Sequence, residues 1–392
     1  IKNKMNLLKK TLKWALLSVI TLVAVLYITD TDYLFKAVPT VYFKGYTTAS
    51  INDYVYFDNA VVHADASDEW PLHNDYNKST ATKKLSALHK SQGTVAYLII
   101  KNDSILHESY YDAYDENSKS NSFSMAKSYV CGLLGKAIME GYIKNLEQPV
   151  SDFFPQYSEG LSSKVTVGDL ASMASGSSWI EDYYWPINIT AKAYYGKELE
   201  ETILGLATVK TPGQSFEYSS GDTQLLAMVI EKATDKKLYD YLSESFWIPL
   251  ESENDALWQV DSEDTDHVKA YCCIASNAKD FARFGKLYKD HGKWKGQQIL
   301  DSTYVAKSIQ PRFKDSPEYG YGFWLQKRDG KSFFMMEGHL GQCVVVVPDD
   351  NLIVVRLGRG KESFGRNPYN GDITIYIEEA YKMIADAEQN QS

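Results

Sequence analysis

Apolar side chains recur at residues 125, 129, 130, 133, 134, 137 and 138, the i, i+4, i+5, i+8 spacing of a buried helix face, and the pattern stops at Gly141. Before it, GTVAYLIIKNDSILHESYY (93–111) reads as two apolar strands around the turn Lys101-Asn102-Asp103. Further helices are predicted at 222–234 and 277–289, with Gly/Pro breaks such as TPGQ (211–214) between elements. Strand-like runs return at 319–326, 332–338, 343–348 and 352–358, and a closing helix is predicted over about 372–387. Neither group of strands makes an adequate sheet by itself, so the two must pair. The expected fold class is mixed α/β of the α+β kind: one antiparallel sheet built from both chain ends, flanking helices, and a mostly helical insert over about 140–300. Residues 31–80, rich in Tyr, Asp and Asn without clean periodicity, read as an extended arm around a main domain at 81–392.

The strongest apolar run lies elsewhere. Residues 14–29, WALLSVITLVAVLYIT, carry no charge and follow lysines 2, 4, 9, 10 and 13. At about 1.5 Å per residue the run is roughly 24 Å long, short of a ~30 Å hydrocarbon core but longer than many signal-peptide cores. No A-x-A cleavage pattern follows it. The expectation is an uncleaved anchor, with a signal peptide as the alternative, the lysine side in the cytoplasm and residue 30 onward outside it in the cell envelope.

Composition narrows the chemistry. With 392 residues, 44% of them hydrophobic and 13% aromatic, the chain can bury a large core. The formal net charge is −10, and those five lysines sit in a segment without acids, which leaves −15 on the rest. So acidic a body repels phosphate backbones, and nucleic acid is excluded as a partner. Cys131, Cys272, Cys273 and Cys343 form no CxxC or zinc-type spacing, and the seven histidines form no HExxH, so neither a metal nor another cofactor is expected. Adjacent Cys272 and Cys273 read as poorly placed to bridge each other, and Cys131 as a small buried hydrophobe. His107 and His267 show no partner in sequence, and Glu181 and Asp182 read as exposed loop acids.

Ser124 and Lys127 stand three apart at the front of the 125–138 helix, hence on one face. A serine there lies near free backbone N–H groups and the positive end of the helix dipole, which favour a developing oxyanion. Lys127 serves as its base only if its pKa falls from ~10.4 toward 7–8, a cost of about 4 kcal/mol that burial supplies. The same spacing recurs at Ser276 and Lys279, but NAKDFARFGKLY is a charged amphipathic helix, so Ser276 reads as its N-cap. Serine and lysine at this spacing alone remain a weak signal. No G-x-S-x-G occurs, which disfavours an α/β-hydrolase.

Two more elements change the weight. PGQSFEYSSGDTQLLAMVI places Tyr218 on a loop before an apolar helix, and EGHLGQCVVVVP places His339 and two glycines where a strand breaks and resumes. In this order SFSMAKS, YSS and HLG resemble the S-x-x-K, Y-x-N and K-T-G-like elements of the serine β-lactamase and penicillin-binding superfamily. The resemblance is nearest to the branch of class C β-lactamases, esterases and 6-aminohexanoate-oligomer hydrolases, and it extends over most of 81–392. It implies Ser124 as nucleophile, Lys127 as its proton partner and Tyr218 as general base or acid. It also implies an oxyanion hole from the backbone N–H groups of Ser124 and Gln342, after the His339-Leu340-Gly341 turn, and Tyr183 near the leaving amine. Ser220 replaces the family's asparagine and His339 its lysine, departures that argue against true β-lactamase activity. The implied substrate is a small ester or amide. A sensor-type protein that acylates without turnover, a D-amino-acid peptidase, and a non-catalytic envelope protein keeping only the fold are the other readings; the intact Ser124, Lys127 and Tyr218 set argues against the last.

Overall fold

The computed structural model describes residues 2–65, 67–328, 330–360 and 372–389. Its main sheet has six strands, all antiparallel, in the spatial order Ser104–Tyr110, Thr94–Lys101, Leu352–Gly358, Gln342–Val347, Lys331–Gly338, Trp324–Arg328. The early hairpin therefore pairs with the late strands, Val354 opposite Ile99 and Val355 opposite Leu98, as the two-ended sheet required. Asn102 and Asp103, at φ 50° and 61°, make the tight turn of that hairpin, where only residues tolerant of the left-handed region fit well.

Both faces of the sheet are covered. Asp372–Gln389 and Lys83–Ser91 pack on one, burying Leu85, Tyr376, Ala380 and Met383 against Tyr97, Ile99, Val345 and Val354. Ala278–Lys289 lies on the other and carries Phe281, Phe284 and Leu287 into the larger core. Fully buried apolar side chains of this size contribute about 1.5–3 kcal/mol each, so the central strands need no alternation of polar residues. Between the sheet's two sequence segments the chain is largely helical, with Ala126–Met139 and Ser220–Thr234 packed together at its centre.

Three local expectations shift. The run 319–326 becomes a strand only at Trp324, because Gly322 takes φ +84° and lies so close to Cys131 that an added Cβ would stand 2.6 Å from its Cβ. The cap of Ala278–Lys289 is Asn277, whose side chain accepts the Asp280 N–H at 2.8 Å; Ser276 ends a strand one residue earlier. The arm is more regular than its composition suggests. It holds the helix Leu34–Thr40 and a strand, Asn59–Val62, at the edge of a second sheet with Ala256–Gln259, Ile274–Ser276 and Ser120–Asn121. Asp53 fastens it: buried, it accepts the Tyr194 hydroxyl at 2.8 Å, the Asn121 amide at 3.2 Å and the Ser50 N–H at 3.3 Å. At the other end the helix Lys2–Ile28 stands clear of the body, its apolar side chains exposed, and is long and apolar enough to cross a membrane.

Candidate active site

Ser124 sits where the second sheet hands the chain to a helix. Ser122 closes the strand, its N–H donating to the Ile274 carbonyl at 2.7 Å and its hydroxyl accepting the Ile274 N–H at 3.2 Å. Phe123 then turns at φ 46°, a conformation costing roughly 1–2 kcal/mol for a side chain with a Cβ, held by its N–H donating to Asn121 Oδ1 at 2.9 Å. One turn of 3₁₀ helix, Phe123–Met125, leads into Ala126–Met139. Ser124 is thus delivered to the helix front, beside backbone N–H groups without partners in the helix.

Lys127 is buried and spends all three donors: Nζ to Ser124 Oγ at 3.2 Å, to Ser220 Oγ at 2.9 Å and to the Tyr271 carbonyl at 2.7 Å. Burial pushes its pKa down to about 8, with the Glu181 carboxylate opposing the fall. Tyr218 stands beside this pair: its ring lies 5.2 Å from Lys127 Nζ and stacks on Trp324. Burial, then the charge of Glu181, pushes the phenol well above its ordinary value. Desolvation favours the neutral form of both groups. The resting pair is therefore a neutral phenol beside an ammonium that gives up its proton at mildly alkaline pH, and not a phenolate beside an ammonium of ordinary pKa.

The serine at position 220 keeps a contact there. Its hydroxyl accepts from Lys127 and donates to Glu181 Oε1 at 2.6 Å, and its N–H donates to Glu181 Oε2 at 2.8 Å. Trp179 Nε1 donates to the same carboxylate at 2.8 Å. Glu181 is thus turned inward, contrary to the expectation of an exposed loop acid, because three donors converge on it. Asp182 caps its own loop by accepting the Tyr184 and Trp185 N–H groups.

The turn His339–Gly341 faces Ser124 across a narrow gap. A Cβ on Gly338 would lie 2.2 Å from the Ser122 carbonyl, so only glycine lets this strand end approach the loop that carries Ser124. Leu340 and Gly341 take φ 60° and 78°, and buried Arg356 pins their carbonyls at 2.8 and 2.9 Å. Gln342 is buried, its side-chain amide locked to Gly358 by bonds of 2.6 and 2.9 Å. His339 packs edge-on against Phe123 and meets the Thr48 hydroxyl at 3.2 Å. Tyr183 lies 5.2 Å from the His339 ring and lines the same cavity as Ser124.

A cavity of about 70 Å³ opens beside Ser124, Tyr183, Ser220 and His339. Part of its wall comes from the arm, through Ala37, Val41 and Thr48, which the sequence did not connect to the site. Cys272 also lines it, and here a second expectation is reversed: Cys272 and Cys273 are joined in a disulfide, with Cys273 at φ 78° turning the chain so that both sulfurs meet. Cys131 is buried, as a small hydrophobe would be. His267 has a partner, Glu200 at 3.1 Å, while His107 is buried against Tyr97 on the far side of the main sheet. Among the described residues no group of His, Cys, Asp or Glu is placed to hold a metal ion.

Residues 81–374 match the Beta-lactamase family. The chain is 25% identical over 226 residues to 6-aminohexanoate-dimer hydrolase of Paenarthrobacter ureafaciens, an alignment covering 55% of this chain and 57% of that enzyme. Its fold superposes on that of a Bacillus anthracis protein carrying a provisional 6-aminohexanoate-dimer hydrolase name, with a TM-score of 0.73 at 20% identity, over 87% of this chain and 93% of the other. A family VIII carboxylesterase gives a TM-score of 0.60 at 17% identity, over 76% and 95%.

Proposed function

This chain belongs to the Beta-lactamase family of serine hydrolases, and from that premise we propose that it cleaves an ester or amide through an acyl-Ser124 intermediate, held to a membrane by the helix Lys2–Ile28. The observation that carries the reading is the contact of 3.2 Å between Lys127 Nζ and Ser124 Oγ, in which a buried lysine of lowered pKa faces a hydroxyl at a helix front.

The directions of the pKa shifts divide the roles. Lys127, in the neutral form that its lowered pKa makes accessible, takes the Ser124 proton as Oγ attacks the acyl carbon. The backbone N–H groups of Ser124 and Gln342 face the oxyanion that forms. The bond to the leaving group then breaks, and Tyr218, a neutral phenol beside Lys127, gives its proton to the departing alcohol or amine and is restored by the proton on Lys127. Water attacks the acyl-enzyme, its proton returns to Ser124 through the same pair, and a carboxylic acid leaves. Tyr183, which lines the same cavity as Ser124, is the candidate to meet the leaving group. His339 offers no fixed ammonium for a substrate carboxylate, and Ser220 offers no amide, which supports a simple ester or linear amide over a β-lactam.

The test is mass spectrometry of the protein after a fluorophosphonate probe, followed by a panel of p-nitrophenyl esters, nitrocefin and 6-aminohexanoate dimer. The expected result is an adduct on Ser124 and steady turnover of an ester or the linear dimer, both lost in Ser124→Ala and kept in Ser276→Ala. A burst without steady turnover would instead support a sensor-type protein, and activity surviving in Ser124→Ala would sink the assignment. Fractionation should recover the full chain as an integral membrane species.

A further inference from the structure

The wall of the cavity beside Ser124 is apolar and its position is unusual. Ala37 comes from the short helix Leu34–Thr40 that follows Lys2–Ile28, Val41 from its C-terminal cap, and Trp185 and Pro186 from the loop that Tyr33 reaches. No lysine or arginine stands among the described residues that line it, and its one carboxylate, Asp182, is occupied in capping its own loop. A substrate carboxylate would be desolvated there with hydroxyls and the His339 ring around it and no lysine or arginine to pair with. A hydrocarbon chain needs no such partner.

The mouth lies beside the end of the apolar helix. Tyr27 in that helix packs on Phe35 with ring centroids 6.0 Å apart, and Tyr33 donates to the Pro186 carbonyl at 3.2 Å. Asp30 pairs with Lys192, on the same helix as cavity residue Ala191. Around this junction large aromatic side chains face outward, Phe43 at 79% exposure, Tyr184 at 63% and Trp185 at 61%. Such a cluster is unfavourable in water, and Trp and Tyr are the residues that settle at a membrane–water boundary.

We propose that the cavity takes the hydrocarbon portion of an amphiphilic ester or amide drawn from the bilayer that holds Lys2–Ile28, the aromatic rim resting at that bilayer's surface. This rests on the serine-hydrolase reading above and names the substrate class of that site. The reaction is unchanged: the acyl group passes to Ser124 and then to water, and the alcohol or amine leaves with a proton.

The experiment uses the full chain in vesicles of phosphatidylcholine and phosphatidylglycerol in equal amounts, with p-nitrophenyl acetate and p-nitrophenyl dodecanoate as probes. Each buried methylene is worth about fourfold in affinity, so kcat/KM for the dodecanoate should exceed that for the acetate by about tenfold or more. Val41→Trp, which fills the cavity, should lower that ratio about tenfold, and Ala191→Leu, on the neighbouring helix Ile189–Tyr195 that also lines it, should lower it in the same direction if the first variant fails to fold. Fluorophosphonate labelling of Ser124 in each variant shows that the nucleophile is intact. Equal kcat/KM for the two esters, or a ratio unmoved in a variant that still labels, overturns the proposal while leaving the serine-hydrolase reading standing. Absence of any Ser124 adduct in the wild type overturns both.

Discussion

The Glu181 carboxylate accepts both the hydroxyl and the backbone N–H of Ser220, at 2.6 and 2.8 Å, and Ser220 in turn accepts from Lys127 at 2.9 Å. A loop acid is thereby linked through one serine to the amine that faces the nucleophile. The link works in two ways: it fixes the direction of the Ser220 lone pairs, and its negative charge opposes the fall of the Lys127 pKa.

Glu181→Gln separates these effects. Glutamine keeps the shape and one of the two acceptor oxygens, so only part of the contact to Ser220 and Trp179 survives, while the charge is gone and the Lys127 pKa should fall below its present value of about 8. On the proposed mechanism Lys127 is a base when neutral, so the alkaline rise of kcat/KM for a p-nitrophenyl ester should move to lower pH. Glu181→Ala removes the contact too, and kcat should drop about tenfold or more, within the scale of misplaced proton-transfer groups. A pH profile identical to wild type in both variants would mean that Glu181 only packs the loop.

Lys127 is held against its own solvation, and this predicts a trade of stability for activity. Its fall from 10.5 to about 8 corresponds to roughly 3 kcal/mol of folding stability. The sign follows from the direction of the shift. The unfolded lysine binds its proton more tightly than the folded one, so the cost is fully present below about pH 8 and fades as pH rises toward 10.5. Lys127→Met should abolish hydrolysis yet raise the denaturation midpoint at pH 7, with a net gain of about 1–2 kcal/mol after the lost hydrogen bonds, and the gain should shrink at pH 10. A variant less stable than wild type at pH 7 would show that the hydrogen bonds to Ser220 and Tyr271 outweigh the desolvation.

Some of this arrangement was legible in the sequence, for reasons of range. Ser124 and Lys127 are three residues apart on one helix, so a period of 3.6 places them together whatever the rest of the chain does. The two-ended sheet followed because apolar strands such as 94–101 and 352–358 have nowhere else to pair. The Ser220–Glu181 contact spans 39 residues and joins two loops, and Thr48 meets His339 across 291; neither leaves a periodic trace. The convergence of three donors on one carboxylate is what identifies Glu181, and only coordinates show it. The arm's role was hidden because the segment 31–80 carries its order in contacts to the body, such as Asp53 with Tyr194 and Asn121, and not in its own pattern. The adjacent cysteines were misread because bridging them requires the unusual backbone at Cys273, which composition does not announce.

Arg356 tests whether the turn opposite Ser124 must be rigid. Its guanidinium reaches the Leu340 and Gly341 carbonyls, Thr94 Oγ1 at 3.2 Å and the Gln92 carbonyl at 2.6 Å, all from a buried position in a central strand. Lysine keeps the charge but not the planar fork. Arg356→Lys should therefore lower kcat about tenfold or more with a smaller change in KM, because the Gln342 N–H loses its fixed direction toward the developing oxyanion. Equal effects on kcat and on thermal stability with no split from KM would place Arg356 in the fold alone.

Tyr218 carries the most specific prediction, because its role depends on the leaving group. Burial keeps the phenol neutral at working pH, so it holds a proton to give and is a poor base. An activated phenolate leaves without help; an amine must be protonated as its bond to the acyl carbon breaks. Tyr218→Phe removes the donor while keeping the ring on Trp324, a stacked contact with centroids 5.3 Å apart. Hydrolysis of an amide should fall by about 10²–10⁴-fold, the usual range for lost acid–base assistance, while a p-nitrophenyl ester of the same acid falls far less. The alkaline rise set by Lys127 should persist in the variant, since the amine still takes the Ser124 proton. Measuring kcat/KM against pH for wild type and Tyr218→Phe on matched ester and amide decides it: equal fractional losses on the two substrates would assign the tyrosine to packing, and loss of the rise itself would make Tyr218, and not Lys127, the base.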